Sequence, residues 1–198
     1  SIGIEDIDLS TGFAKFNYVV KQAHHSSRWN LEPVVLPIEL EVAGYHSVLN
    51  AMIAITYGLL EGVDGATIQK ALRNFSGVER RFELIYNKDY MILDDHFANE
   101  KNIAVTLETL CQMDYKNLHV LYAVRGGRGA ALNRDNALEM VKWMDKLPLK
   151  TFYATRSEEV VSSKDVVTDS ELAAFSEVMK EAGYDVPVVD DLKSAIAK

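Results

Sequence analysis

The stretch Gly44-Tyr-His-Ser-Val-Leu-Asn50 runs into Ala-Met-Ile-Ala-Ile-Thr-Tyr-Gly-Leu-Leu, so polar residues open a segment that is otherwise apolar or small. His46 and Asn50 are four apart and share one face of a helix. Two readings of them are open. His46 or Ser47 caps the helix while Asn50 hydrogen-bonds a neighbouring turn. Alternatively, the Asn50 carboxamide, donor and acceptor together, reads the N6/N7 edge of adenine.

Three further stretches carry candidate chemistry. Asp94-Asp-His-Phe-Ala-Asn-Glu100 follows a short apolar run. Adjacent carboxylates in extended chain point opposite ways, so one of Asp94 and Asp95 faces a site, or one of them caps the next helix. Val124-Arg-Gly-Gly-Arg-Gly-Ala-Ala-Leu-Asn-Arg-Asp135 holds three glycines and three arginines. Its amides can converge on an anion, or it is a turn with solvated arginines. It imitates a dinucleotide fingerprint, but Leu132 stands where the third glycine belongs. Gly77-Val-Glu-Arg-Arg-Phe-Glu83 sets Arg80 and Arg81 where they either pair with acids such as Glu79 or Glu83 or reach a phosphate or ribose.

Other residues point to packing. His24, His25 and His119 lack carboxylate or cysteine partners at ligand spacing, so no metal site is expected. Met140, Trp143 and Met144 lie at helical spacing and read as core. Cys111, on an amphipathic stretch, reads as a small buried apolar group.

The elements that must position these residues fall into two textures. Residues 13 to 42 read as two strands, with prolines suited to a sheet edge and a hairpin connection over 21 to 30. Helices are predicted from about His46 to Leu60 and from Asp64 to Asn74. From residue 89 strand and helix alternate: Tyr-Met-Ile-Leu, then a helix near 102–113, strands at 117–124, 150–155 and 186–189, and helices near 133–147, 168–183 and from 190. The third of these is capped by Thr168 or Asp169. Such β-α repetition implies an α/β fold with a parallel sheet, whose ligands gather at the carboxyl ends of the strands.

Bulk composition narrows the classes. The chain of 198 residues is 48% hydrophobic, enough for a packed core. A net charge of −8 argues against a nucleic-acid binder. A single cysteine forms no disulfide within the chain and suits a reducing cytoplasm. No apolar run spans a bilayer, so no membrane partner is expected.

Taken in order, these stretches resemble the ATP-dependent Mur ligases over roughly residues 35 to 198. Gly44, His46 and Asn50 match that family's G-x-H-N-x-x-N stretch, with Ser47 in place of its first asparagine. Gly77, Val78, Arg81 and Glu83 match its G-V-x-x-R-x-E linker, and Asp95 matches the aspartate ending the first strand of its C-terminal domain. The resemblance implies residues 1–82 as part of a central ATPase domain, with antiparallel strands plus two helices, and 83–198 as a Rossmann-like C-terminal domain. It implies His46, Asn50, Arg81 and Asp95 as contacts to ATP, and Arg128 as the catalytic charge brought by the glycine-rich loop. It further implies Mg2+, a carboxylate substrate activated as an acyl phosphate, and an attacking nucleophile, usually an amine. Two departures stand out: no G-x-x-x-x-G-K-[ST] phosphate loop occurs, and the sequence stops within a helix. The expectation is a fragment, inactive alone, whose Mg2+ is held mainly by the missing part. The unusual 94–100 and 125–129 loops suggest a member outside the peptidoglycan set, the archaeal Mur-like ligase of coenzyme F430 synthesis being one candidate. Two other classes stay open: a dinucleotide-binding oxidoreductase domain and a non-catalytic nucleotide-binding or interaction module.

Overall fold

In the computed structural model, which describes residues 1–198, the chain divides into two units. The first comprises Ser1–His96 with Gln112–Asp114; the second comprises Phe97–Cys111 with Tyr115–Lys198.

In the first unit, β1 (Ile2–Asp8), β2 (Phe13–Val20) and, after the two-residue strands β3 (His24–His25) and β4 (Asn30–Leu31), β5 (Val34–Ala43) form an antiparallel sheet in the order β1-β2-β5. The β3–β4 pair is the expected hairpin connection. Pro37 is tolerated because β5 is an edge strand. Period-two alternation turns Phe16, Tyr18, Val20, Leu36, Ile38 and Leu40 to one face. That face is covered by α1 (Tyr45–Leu60), through Val48, Ala51 and Ile55, and by α2 (Gly65–Asn74), through Ile68. The Tyr18 and Thr56 hydroxyls, 2.7 Å apart, pin α1 to the middle strand. β1 escapes the hydrophobic pattern because Glu5, Asp6 and Asp8 dilute it and a bulge between Glu5 and Asp8 breaks its register.

Residues 83 to 94 correct a prediction. Met91–Asp94 (β7), expected to begin the parallel sheet, pairs antiparallel with β6 (Glu83–Asn87), Glu83 opposite Asp94. The turn between them is closed by the Lys88 amide donating to the Tyr90 carbonyl at 3.1 Å and by stacking of Tyr86 on Tyr90. Its Asn-Lys-Asp sequence is a hairpin signal of the weaker kind.

In the second unit, α3 (Glu100–Gln112), β8 (Leu118–Ala123), α4 (Ala130–Met144), β9 (Leu149–Thr155), α5 (Asp169–Glu181), β10 (Val188–Val189) and α6 (Leu192–Ile196) alternate as expected. The sheet is parallel in the order β10-β9-β8. Its core joins Ile103 and Leu107 of α3, Met140 and Met144 of α4, and Phe175, Val178 and Met179 of α5 around Tyr122 and Phe152. Cys111 corrects another prediction, being exposed. The apolar face of α3 runs Ile103, Leu107, Leu110, and the next residue is rotated off it. No helix is long and apolar enough to cross a membrane.

Candidate functional site

Gly44 starts α1 with φ 86° and ψ 153°, and no side chain caps the helix. Ser47, one of the expected caps, instead donates its hydroxyl back to the Ala43 carbonyl at 2.5 Å. The other local expectation also fails: the exposed Asn50 carboxamide makes no hydrogen bond within the chain. His46 is exposed on the same face. Along that face Tyr45, Leu49, Ile53 and Tyr57 are exposed, and α1 carries no charged residue at all.

The linker after α2 is bent sharply. Gly77 has φ 92°, and Arg80 and Phe82 adopt φ 57° and 51°, a region costly for side-chain-bearing residues. Asp95 helps hold this shape by accepting the Phe82 amide at 2.9 Å, and Glu83 accepts the Arg80 amide at 2.8 Å. The two arginines part company. The Arg80 guanidinium lies 3.4 Å from the Asp94 carboxylate, whereas the exposed Arg81 side chain has no partner. Neither aspartate caps the following helix; Asn99 does, its Oδ1 accepting the Lys101 and Asn102 amides, each at 3.1 Å. The structure thus ties Asp95 to the linker beside Arg81, and sets His46 and Asn50 together on α1.

Arg128 belongs to the second unit, on the loop from β8 to α4. The amides of this loop do converge on an anion, but the anion is internal. Oε1 of Glu171, on α5, accepts the amides of Arg128 at 2.9 Å and Gly129 at 2.7 Å. Its Oε2 accepts the amide and the hydroxyl of Thr168, both at 2.9 Å. Burial pushes this carboxyl up, but the donors of Thr168, Gly129 and Arg128 outweigh it and pull it down to about 2. Gly126 and Gly127 are required for a different reason. A Cβ on them would lie 2.0 Å from the Asp165 carbonyl and 2.1 Å from that of Lys164. Asn133, fully buried, completes the loop: Oδ1 accepts the Arg125 amide and Nδ2 donates to the Arg125 and Gly129 carbonyls. The Arg128 guanidinium reaches out to Asp165 at 3.6 Å and is half exposed. A pyrophosphate laid on this loop would find the amides of Arg125, Arg128 and Gly129 already taken, which weakens the oxidoreductase alternative.

Glu171 and Asn133 were not among the expected site residues. The Thr-x-x-Glu spacing from Thr168 to Glu171 announces a capping box, which the structure contains. The tie from Glu171 to a loop 42 residues earlier leaves no local trace.

No protein-family model matches the chain. The UDP-N-acetylmuramate–L-alanine ligase of Caldicellulosiruptor saccharolyticus is 26% identical over 192 residues, covering 96% of this chain and 38% of that one. That of Dictyoglomus turgidum is 30% identical over 166 residues, covering 81% and 34%. The chain thus spans less than two fifths of the length of these relatives. Among solved structures, the UDP-N-acetylmuramate-alanine ligase MurC of Thermotoga maritima superposes with a TM-score of 0.66 at 21% identity, over 97% of this chain and 38% of that one. Folylpolyglutamate synthase of Mycobacterium tuberculosis, complexed with ADP and AMPPCP, reaches 0.71 at 14% identity, over 99% and 40%. The match in sequence along nearly the whole chain, together with the shared fold, places this chain in the Mur ligase family, as a stretch of its C-terminal region.

Proposed function

We propose that the chain supplies the adenine and ribose contacts and the nucleophile-receiving domain of an ATP-dependent Mur-type ligase. One observation carries the reading: Asn50 presents an exposed carboxamide with no partner, on a helix whose start no side chain caps. The local alternative for it, a hydrogen bond to a neighbouring turn, fails, and a donor beside an acceptor fits the edge of adenine. Arg81, exposed and unpaired, is available to phosphate or ribose, and Asp95 keeps the linker that presents it. His46 shapes the helix start on the adenine side. Arg128 supplies positive charge to the reacting groups, where charge placed in advance lowers the barrier.

ATP with Mg2+ supplies the phosphoryl group that activates a substrate carboxylate as an acyl phosphate for attack by an amine. These residues bind and orient; the work is positioning and neutralisation of charge. The sequence contains no phosphate loop, so we assign the phosphates and Mg2+ to other parts of the ligase and expect the 198 residues alone to turn over no ATP. We assign the reaction to the cytoplasm, where ATP is available and a chain with a single cysteine, Cys111, needs no disulfide.

The test is isothermal titration of ATP into the full ligase and its Asn50→Ala variant. The expected result is ATP binding weakened by about 1–3 kcal/mol with the melting temperature unchanged. Unchanged ATP affinity would return Asn50 to a structural role. ATP turnover by the 198 residues alone would overturn the assignment of the phosphates elsewhere.

A further inference from the structure

Glu171 is 3% exposed, yet four donors surround its carboxylate. Such a cradle ordinarily serves a bound anion. Its halves have different purposes. The Thr168 bonds belong to the capping box of α5 and would form without any help from the 125–129 loop. The bonds from Arg128 and Gly129 do nothing for α5. They fix the loop.

A second tie joins the same two segments. The Arg128 guanidinium pairs with Asp165, while Gly126 and Gly127 back directly onto the Asp165 and Lys164 carbonyls. The backbone of Arg128 is thus held by Glu171, and its side chain is drawn towards a segment pressed against its own loop.

We propose that Glu171 is a positioning residue for Arg128, its carboxylate locking the turn from which that guanidinium is offered to the reacting groups. The proposal rests on the reading that Arg128 serves the ligase reaction. Loss of the Glu171 carboxylate leaves the guanidinium and its charge in place and removes the lock, together with the Thr168 bonds of the α5 capping box. The consequence is a fault of placement, to which turnover is more sensitive than nucleotide binding.

The experiment uses Glu171→Ala, Glu171→Gln and Arg128→Ala. In the 198-residue chain, amide hydrogen exchange at Arg128 and Gly129 is expected to quicken in Glu171→Ala. Sodium formate, which returns a carboxylate to the vacated cradle, is expected to slow it again; sodium chloride at equal ionic strength is not. In the full ligase, kcat of Glu171→Ala is expected to fall by about ten- to a hundredfold. The KM for ATP is expected to stay within about twofold, and formate to restore part of kcat. If Glu171→Ala does not fold, Glu171→Gln, which keeps the shape and one weaker acceptor, takes its place in the kinetic comparison with a smaller fall in kcat expected. A folded variant with quickened exchange but unaltered kcat overturns the proposal. Failure of formate to restore kcat while it restores amide protection also overturns it. Normal turnover in Arg128→Ala strikes instead at the role of Arg128, whatever Glu171 does.

Discussion

Helices α1 and α4 begin alike and end up serving different purposes. Each follows a glycine in nearly the same conformation, Gly44 at φ 86° and ψ 153°, Gly129 at φ 86° and ψ 157°, and neither glycine's helix has a side-chain cap of the ordinary kind. An uncapped start leaves amide donors and the positive end of the helix dipole facing outwards. At α4 the chain fills that position itself, with Glu171 from a distant helix. At α1 no acidic residue stands in the first turn, and the neighbouring Asn50 amide is left without a partner. The glycine-rich, arginine-rich loop that most resembles an anion site is therefore the closed one. The open one is the plainer helix, which carries a histidine and an asparagine near its start and no charged residue.

The largest effect that would break this comparison is at Gly126. A methyl there meets the Asp165 carbonyl at 2.0 Å, and backbone on both sides leaves nothing flexible to yield. Gly126→Ala is expected to destabilise the second unit by more than about 3 kcal/mol, read by chemical denaturation. At Gly129 the same methyl meets open space, so Gly129→Ala carries only the cost of a positive-φ, extended-ψ backbone open essentially to glycine alone, about 1–3 kcal/mol. Equal losses at the two positions would mean that the loop is not pressed against residues 164 and 165.

Acid separates the two helices next. The Glu171 carboxyl falls from an ordinary 4.5 to about 2 on folding, so its contribution to stability is complete above pH 4.5 and is lost as pH falls from there towards 2. The shift corresponds to about 3 kcal/mol. Denaturation of the second unit between pH 5 and pH 2, compared in the native chain and in Glu171→Gln, checks it; the variant is expected to lack this share of the slope. Identical slopes would leave the internal carboxylate without the strength assigned to it.

That closure also marks where sequence reading ends. Periodicity revealed most strands and helices of both units because each element's apolar face is written in consecutive residues. The parallel sheet, the edge position of β5 and the Thr168 cap were legible in this way. β1 was not, since its acids and bulge hide the alternation. β7 was seen as a strand but given the wrong neighbour, because pairing depends on a turn whose Asn-Lys-Asp sequence is ambiguous. At the candidate site, residue types and order pointed to Asn50, Arg81, Asp95 and Arg128. What each does locally is set by partners that residue type and order do not name. Asp95 supports the Phe82 amide, Asn99 takes the capping duty expected of the aspartates, and Glu171 reaches the loop across 42 residues.

Support of the linker by Asp95 gives a smaller and separable test. Asp95→Asn keeps an acceptor for the Phe82 amide at 2.9 Å and removes the charge. Stability is expected to drop by about 1 kcal/mol, the difference between a charged and a neutral acceptor. Asp95→Ala, which leaves that amide without its acceptor and Phe82 at φ 51° less constrained, is expected to lose about twice as much. If the two variants melt together, the carboxylate is not what holds the linker.

The smallest expected effect lies on the open helix. Ile53 is 71% exposed, and Leu49 and Tyr57 flank it one turn away on either side, so a stripe of large apolar side chains stands in solvent beside Asn50. A helix without charges on any face is ordinarily buried all round, but here only Val48, Ala51 and Ile55 are. If the stripe makes no contact within the chain, Ile53→Lys alters the stability of the 198 residues by less than about 0.5 kcal/mol in thermal melts. The same change at Ile55, fully buried against the sheet, is expected to unfold the first unit. A loss at Ile53 approaching that at Ile55 would show α1 to be covered on both sides, and the contrast with α4 would then lie in which side chains cover each helix and no longer in whether one is open.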